Sequence, residues 1–281
     1  MERIAKAIEL ARQGAAHASE EPLRLREPAR PVPPSQIRYL RTRSVPVSAE
    51  ALRAARVTGS QERTPMAEAF KRLRTQILQR LRESGGNALG IASAHAGEGK
   101  TTVALNLAVH AAVEADWTVL LVDADLRRPS LCEALGLGPQ PGLSDYLAHD
   151  APLEDLLLHP GFGRCLLLPA GEPLDHPSEW LGSARMQELA HELKRRYPDR
   201  LVIYDLPALL DSADGIAVLP WIEALVLVAA EGRTPAEDLL RAAQLAGGGR
   251  ILGTVLNRSQ EPVANAGARR SLWARLLGRE V

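Results

Sequence analysis

Six short apolar runs, ALGIAS, TVLLVDAD, CLLLPA, LVIYDLP, ALVLVAA and ILGTVLN, recur through residues 88–257, separated by segments of helical length. This alternation predicts an α/β fold: a doubly wound, mostly parallel sheet with helices on both faces. Strands covered on both sides read as nearly continuous apolar runs. In such sheets ligands bind beyond the carboxyl ends of the strands.

Ahead of the first run, Thr64 and Pro65 read as an N-cap and a first-turn proline. Phe70, Leu73, Ile77 and Leu81 then recur at helical spacing until Gly85 and Gly86 stop the helix. Residues 2–14 set Ile4, Ala7, Ile8 and Ala11 on one face of a short helix that needs a partner surface. Residues 18–58 are rich in Arg, Glu and Pro without a sustained period and read as a linker. The expected organisation is a flexible N-terminal extension over 1–60, a nucleotide-binding domain over 61–260 and a basic tail over 261–281.

Composition narrows the function classes. Lys plus Arg and Asp plus Glu are 34 each, so no whole-chain field points to nucleic acid or to an acidic substrate. Two cysteines, Cys132 and Cys165, are too few for a disulfide framework, lack metal-ligand spacing and suit buried, reduced thiols. The N-terminus has no apolar signal core, and residues 216–230, broken by Pro220 and Glu223, fall short of the ~20 residues of a membrane span. A cytoplasmic protein is expected, with any membrane association peripheral.

The chemistry gathers at strand ends. Ala94-His-Ala-Gly-Glu-Gly-Lys-Thr-Thr102 follows a strand and precedes a helix, the context of a P-loop of the form G-x-x-x-x-G-K-[ST] with Ala94 in place of the first glycine. Gly97 and Gly99 allow backbone N–H groups to approach phosphate, and the following helix adds its own free donors and positive dipole end. Glu98 and Thr102 complete the cradle. Lys100 would neutralise the β and γ phosphates of ATP, and the Thr101 hydroxyl would ligate Mg²⁺.

Asp123 and Asp125, two residues apart at a strand end, aim two carboxylates at one spot, which suits Mg²⁺ plus a proton acceptor. Asp205 closes another apolar strand in the Walker B manner and is assigned to Mg²⁺ through water. Asn257 ends the last strand, where its amide would either pair with the adenine edge or close an ordinary turn. Asp211, Asp214 and His95 read as solvated loop residues, with no carboxylate partner evident for the histidine.

Over residues 60–260 the chain resembles the bacterial tyrosine kinases of capsule and exopolysaccharide assembly, relatives of the deviant-Walker partitioning ATPases. AHAGEGKTT, VDADLRRP, PGLSDYL and IYDLP carry the resemblance in the family's order, and LPAGEPLDHPSEWLGSARM resembles the segment before its Walker B strand. MERIAKAIELARQ is similar to the start of members from exosortase-associated exopolysaccharide loci. The resemblance implies ATP-dependent phosphoryl transfer to protein tyrosine or to water. Asp123 would accept the tyrosine proton, Thr101, Asp125 and Asp205 would serve Mg²⁺, and Lys100 would hold the phosphates.

The resemblance also implies a membrane-anchored polysaccharide co-polymerase, or chain-length regulator, on a separate chain. It implies a homo-oligomer through an E-x-x-R-x-x-R motif, which stands here as Glu68, Lys71 and Arg74; the lysine lacks arginine's bidentate fork. The family's C-terminal tyrosine cluster has no counterpart in residues 261–281, whose Leu272, Trp273 and Leu276 among arginines read as a basic amphipathic stretch. Two alternatives therefore stand beside the kinase: a kinase-inactive ATP-dependent assembly switch, and a partitioning-type ATPase on membrane or DNA. The latter's signature lysine is replaced by His95.

Overall fold

The computed structural model describes residues 42–196 and 199–259. The N-terminal helix expected over 2–14, the tail over 261–281, Tyr39 and Tyr197 lie outside them. The elements run β1 (Arg43–Ser44), α1 (Ala49–Ala54), α2 (Pro65–Ser84), β2 (Ala88–Ser93), α3 (Lys100–Ala111), β3 (Thr118–Asp123) and α4 (Leu131–Ala134). They continue α5 (Leu143–His149), α6 (Leu153–Leu156), β4 (Leu158–His159), β5 (Cys165–Leu168), α7 (Pro177–Leu181) and α8 (Ala184–Arg196). The last are β6 (Arg200–Asp205), α9 (Asp214–Val218), β7 (Ala224–Ala230), α10 (Ala236–Ala246) and β8 (Ile251–Asn257).

One eight-stranded sheet orders them β1-β4-β5-β3-β6-β2-β7-β8. Every pairing is parallel except β4 with β5. Side chains of successive strand residues point to opposite faces, and the core divides accordingly. On one face Leu120, Val122, Val202, Tyr204, Leu225 and Leu227 meet Leu143 of α5, Met186, Leu189 and Leu193 of α8 and Ala242 and Ala243 of α10. On the other, Leu89, Ile91, Val119, Leu121, Leu201, Ile203 and Val226 meet Phe70, Ile77 and Leu81 of α2 and Leu105, Leu107 and Ala111 of α3. Each such leucine contributes roughly 1.5–3 kcal/mol by leaving water.

The local signals explain the boundaries. Thr64 Oγ1 accepts from Ala67 N at 3.2 Å, Pro65 opens α2, and Gly85 closes it with a left-handed φ of 67°. The apolar face of α2 covers α3, which is buried nearly all round as a central helix must be.

Residues 43–58, which composition assigns to a linker, belong to the folded part. β1 pairs with β4, Val57 is buried, and Val45, Val47, Leu52 and Ala55 pack on the α2–α3 side of the core. Sparse apolar residues among prolines and arginines hide this, because each rests on a surface supplied by distant sequence. Cys165 is buried as expected while Cys132 is only partly so; burial pushes their thiols up to about 12 and about 11. Neither is a ready nucleophile.

Candidate nucleotide site

β2, β3 and β6 end together at the carboxyl edge of the sheet, and each delivers one part of the site. The register pairs Ile91 of β2 with Asp205 of β6, and Asp205 with Asp123 of β3. Beyond β2 the chain turns through Gly97 and Gly99 into α3, with φ of 77° and 98°, which only glycine adopts freely. At Gly99 a side chain is also barred by space, since a Cβ would lie 2.0 Å from Asn257 Nδ2.

Lys100 is the first residue of α3 and is buried. Its Nζ lies 3.4 Å from Asp125 Oδ2. Burial alone would lower the ammonium's pKa; Asp205, Asp125 and Asp123 outweigh it and hold it raised. The lysine is therefore a fixed positive charge facing three carboxylates.

Asp123 and Asp205 are buried too. Asp123 Oδ1 accepts from Asp125 N at 3.1 Å, and its Oδ2 accepts from Ser130 N at 3.2 Å and Leu131 N at 3.1 Å. Burial first, and then the neighbouring Asp205, push Asp123 up to about 7 despite those bonds. Asp205 is raised to about 6 by burial, with Lys100 opposing. Neither carboxylate oxygen of Asp205 makes a well-formed hydrogen bond among the described residues, though the Thr101 hydroxyl acts with Lys100 to hold its proton affinity down. A buried carboxylate so poorly bonded is costly and calls for a cation.

The remaining loop contacts make the cradle rigid. Glu98, buried inside the loop, accepts from His95 N at 3.2 Å and from the Thr234 hydroxyl. Asn257 Nδ2 donates to Glu98 O at 2.9 Å, while its Oδ1 accepts from Arg258 N at 2.9 Å. Thr101 Oγ1 lies 2.9 Å from Ser130 Oγ, and Thr102 O accepts from Asn106 Nδ2 at 2.9 Å.

Asp214 differs from its expectation as a solvated loop position, whereas His95 and Asp211 stay partly exposed but have partners that the sequence did not show. Asp214 is buried and receives Arg127 Nε at 2.7 Å and a second guanidinium N–H at 3.2 Å. His95 has two carboxylate partners, Asp211 at 2.8 Å and Asp238 at 3.2 Å. These pairs join segments 87, 116 and 143 residues apart, so no local pattern announces them. At the expected oligomer motif, Lys71 binds Glu68 at 2.8 Å and Arg74 binds Glu114 at 3.0 Å and His110 O at 3.2 Å, all within this chain.

A parallel sheet bearing a glycine loop, a helix-opening lysine and strand-end aspartates defines a P-loop nucleotide-binding protein. The chain belongs to the CobQ/CobB/MinD/ParA nucleotide binding domain family, whose description matches residues 89–271. Among its relatives, Tyrosine-protein kinase YwqD of Bacillus subtilis is 32% identical over 193 residues, 68% of this chain and 80% of that one. Succinoglycan biosynthesis transport protein ExoP of Rhizobium meliloti is 30% identical over 74% of this chain, which spans only 27% of ExoP. The solved kinase domain of Escherichia coli tyrosine kinase ETK superposes with a TM-score of 0.63 at 29% identity, covering 78% of this chain and 91% of that domain. The chain is thus homologous to bacterial tyrosine-kinase domains, with ATP binding the shared property of the fold.

Proposed function

We propose that this chain is an ATP-dependent phosphotransferase of the bacterial tyrosine-kinase kind, acting in exopolysaccharide assembly. One observation carries the reading: the buried cluster of Lys100, Asp123, Asp125 and Asp205 at the mouth of a glycine loop, with neither Asp205 oxygen in a well-formed hydrogen bond.

Thr101, Asp125 and Asp205 would hold Mg²⁺, which when bound would supply positive charge against the phosphates during transfer. Among the described residues no group of three or more His, Cys, Asp or Glu could hold a metal ion by itself, so phosphate and water would have to supply the other ligands. Gly97, Glu98, Gly99 and Thr102 supply the loop backbone, and Lys100 holds the phosphates in place. Asn257 steadies the loop through Glu98 O and retains a second amide N–H for the adenine edge.

Asp123 is assigned the acceptor's proton. Its raised proton affinity, up to about 7, is in the range a general base needs. Its oxygens accept N–H groups of residues 125, 130 and 131, which leaves one lone pair of Oδ1 open to take the proton.

The partner in this reading is a membrane-anchored polysaccharide co-polymerase on a separate chain, with this domain on the cytoplasmic side; the naming of ExoP as a succinoglycan biosynthesis transport protein supports the polysaccharide setting. No helix among the described residues is long and apolar enough to cross a membrane. The domain is taken to span residues 43–260, and self-association through Glu68, Lys71 and Arg74 would require exchanging their present partners.

A second reading, an ATP-dependent switch without kinase activity, draws on the tyrosines. None lies among residues 261–281, Tyr204 is buried, and Tyr146 lies under Arg185. Incubation of the full chain with ATP, Mg²⁺ and a candidate partner, read by phosphotyrosine detection, separates the two. Phosphotyrosine that vanishes with Lys100→Ala supports the kinase; ATP hydrolysis without any phosphotyrosine supports the switch.

A further inference from the structure

His95 sits at the outer end of the P-loop, two residues past the end of β2. Its ring contacts two carboxylates on opposite sides: Nδ1 is 2.8 Å from Asp211 Oδ1, and Nε2 is 3.2 Å from Asp238 Oδ2. A neutral imidazole carries one N–H, so it can satisfy only one of them, and at the other nitrogen two lone pairs would face each other. Both contacts together demand the imidazolium.

The two aspartates belong to different parts of the site. Asp211 lies in the loop that follows the Asp205 strand, and its other oxygen accepts from Ala96 N at 2.9 Å. That loop is already bound to the base of the P-loop by Leu209 N to Ser93 O at 2.9 Å and Leu210 N to Ala94 O at 3.1 Å. Asp238 lies in the first turn of α10. The cation therefore joins three segments where none of the backbone bonds does.

We propose that His95, as an imidazolium, is a positioning residue: it staples the P-loop to the Asp205 loop and to α10, and so makes nucleotide affinity depend on pH. This rests on the assignment of the ATP site. The ring is 42% exposed in its side chain and exchanges protons with solvent freely. Other charges around it are Arg241, 3.4 Å from Asp238; Arg128, whose charge acts on Asp211; and Glu98, which accepts from the His95 N–H. Hydrogen bonds to Asp211 and then Asp238 raise the imidazole's pKa above 6.5, with its slight burial opposing. As pH rises through that raised value the proton leaves, one ring contact breaks, and the P-loop keeps its tie to only one of the two aspartates. Lys100 and the aspartates at the strand ends are untouched, so the effect falls on nucleotide affinity and KM rather than on kcat.

Calorimetric Mg²⁺-ATP affinity between pH 6 and 8.5, compared among wild type, His95→Gln and His95→Lys, tests this. The proton of the γ-phosphate is common to all three and cancels in their ratios. Wild type should bind about 5–10-fold tighter than His95→Gln at pH 6, the worth of one hydrogen bond at a partly exposed site, and the advantage should vanish by pH 8.5. His95→Lys, whose ammonium has three donors and stays charged, should keep it throughout. A ratio of wild type to His95→Gln that does not change with pH overturns the staple.

An NMR titration of the His95 ring gives an arm independent of ATP. Its midpoint should exceed the ordinary value and fall back in Asp211→Asn/Asp238→Asn; a midpoint at or below about 6.5 overturns the staple whatever the nucleotide does. Absence of ATP binding by wild type at every pH instead defeats the nucleotide-site assignment, and the ring titration alone then decides.

Discussion

Asp123 and Asp205 are register partners on adjacent parallel strands, two fully buried carboxylates whose only buried cation is Lys100 among the described residues. Two negative charges so close in an apolar setting cannot both be ionised cheaply, and they titrate as a pair.

This pair predicts how the metal-free protein responds to pH. Asp123 moves from 3.8 unfolded to about 7 folded, and Asp205 from 3.8 to about 6. Between those limits the folded state holds protons that the unfolded chain has released, so the pair's contribution to stability falls as pH rises from about 4 to about 7. Asp205→Asn removes one buried charge, and in EDTA it should raise stability by ~1 kcal/mol at pH 8, or roughly 2–4 °C in Tm, and by less at pH 5. A melting difference that does not grow with pH over this range would show that folding does not raise the proton affinity of Asp205.

The same substitution should harm function. An amide is a poor partner for a hard, hydrated cation, so Asp205→Asn should weaken Mg²⁺-dependent turnover more than metal-free nucleotide binding. Equal losses with and without Mg²⁺ would make Asp205 purely structural.

Lys100→Ala removes the buried charge aimed at the phosphates and leaves its carboxylate neighbours unopposed. Loss of a charge-assisted contact of ~1.5–3 kcal/mol predicts roughly 10- to 150-fold weaker ATP binding by calorimetry. Unchanged affinity would remove the basis of the nucleotide site.

The sheet was legible because its information is local. A strand covered on both faces must be apolar throughout, so ALVLVAA coincides with β7 residue for residue; ILGTVLN coincides with β8 too, although at the sheet's edge none of its residues is fully buried. The glycine loop was legible because Gly97 and Gly99, both at positive φ, stand in a contiguous run between a strand and a helix. The short strands β1 and β4 were not, because two residues each carry no period. Asp214 was misread as solvated, and the pairing of His95 with Asp211 and Asp238 was missed, because these partners are remote and the pattern of a loop does not record what packs against it.

Glu98 offers a test of the loop's own rigidity. Its buried carboxylate accepts from His95 N and the Thr234 hydroxyl, and that hydroxyl oxygen also accepts from Ala230 N at 2.8 Å. Thr234→Val keeps the shape but leaves a buried acceptor without its donor, an expected cost of ~1–3 kcal/mol. ATP should bind more weakly while kcat changes little, as the loop loses one anchor, to the turn ahead of α10. A Tm and a KM both equal to wild type would show that Glu98 finds water in place of the hydroxyl.

Arg127 and Asp214 give the last test, because their pairing joins the segment after Asp125 to α9 beyond Asp205. Asp214 has only 1% of its side chain exposed, whereas Arg127 has 48%, so the two partners are not equivalent. Arg127→Ala strands a buried carboxylate, whereas Asp214→Asn leaves an arginine that solvent can hydrate. Arg127→Ala should therefore lower Tm more than Asp214→Asn does, and adding Asp214→Asn to Arg127→Ala should recover part of the loss. The double-mutant cycle measures the coupling directly. If the two losses simply add, the bidentate contact does not hold the loop. In that case the loop after β3 is positioned by Asp123, through its bonds from Ser130 N and Leu131 N, and by Asp125, which accepts from Arg128 N.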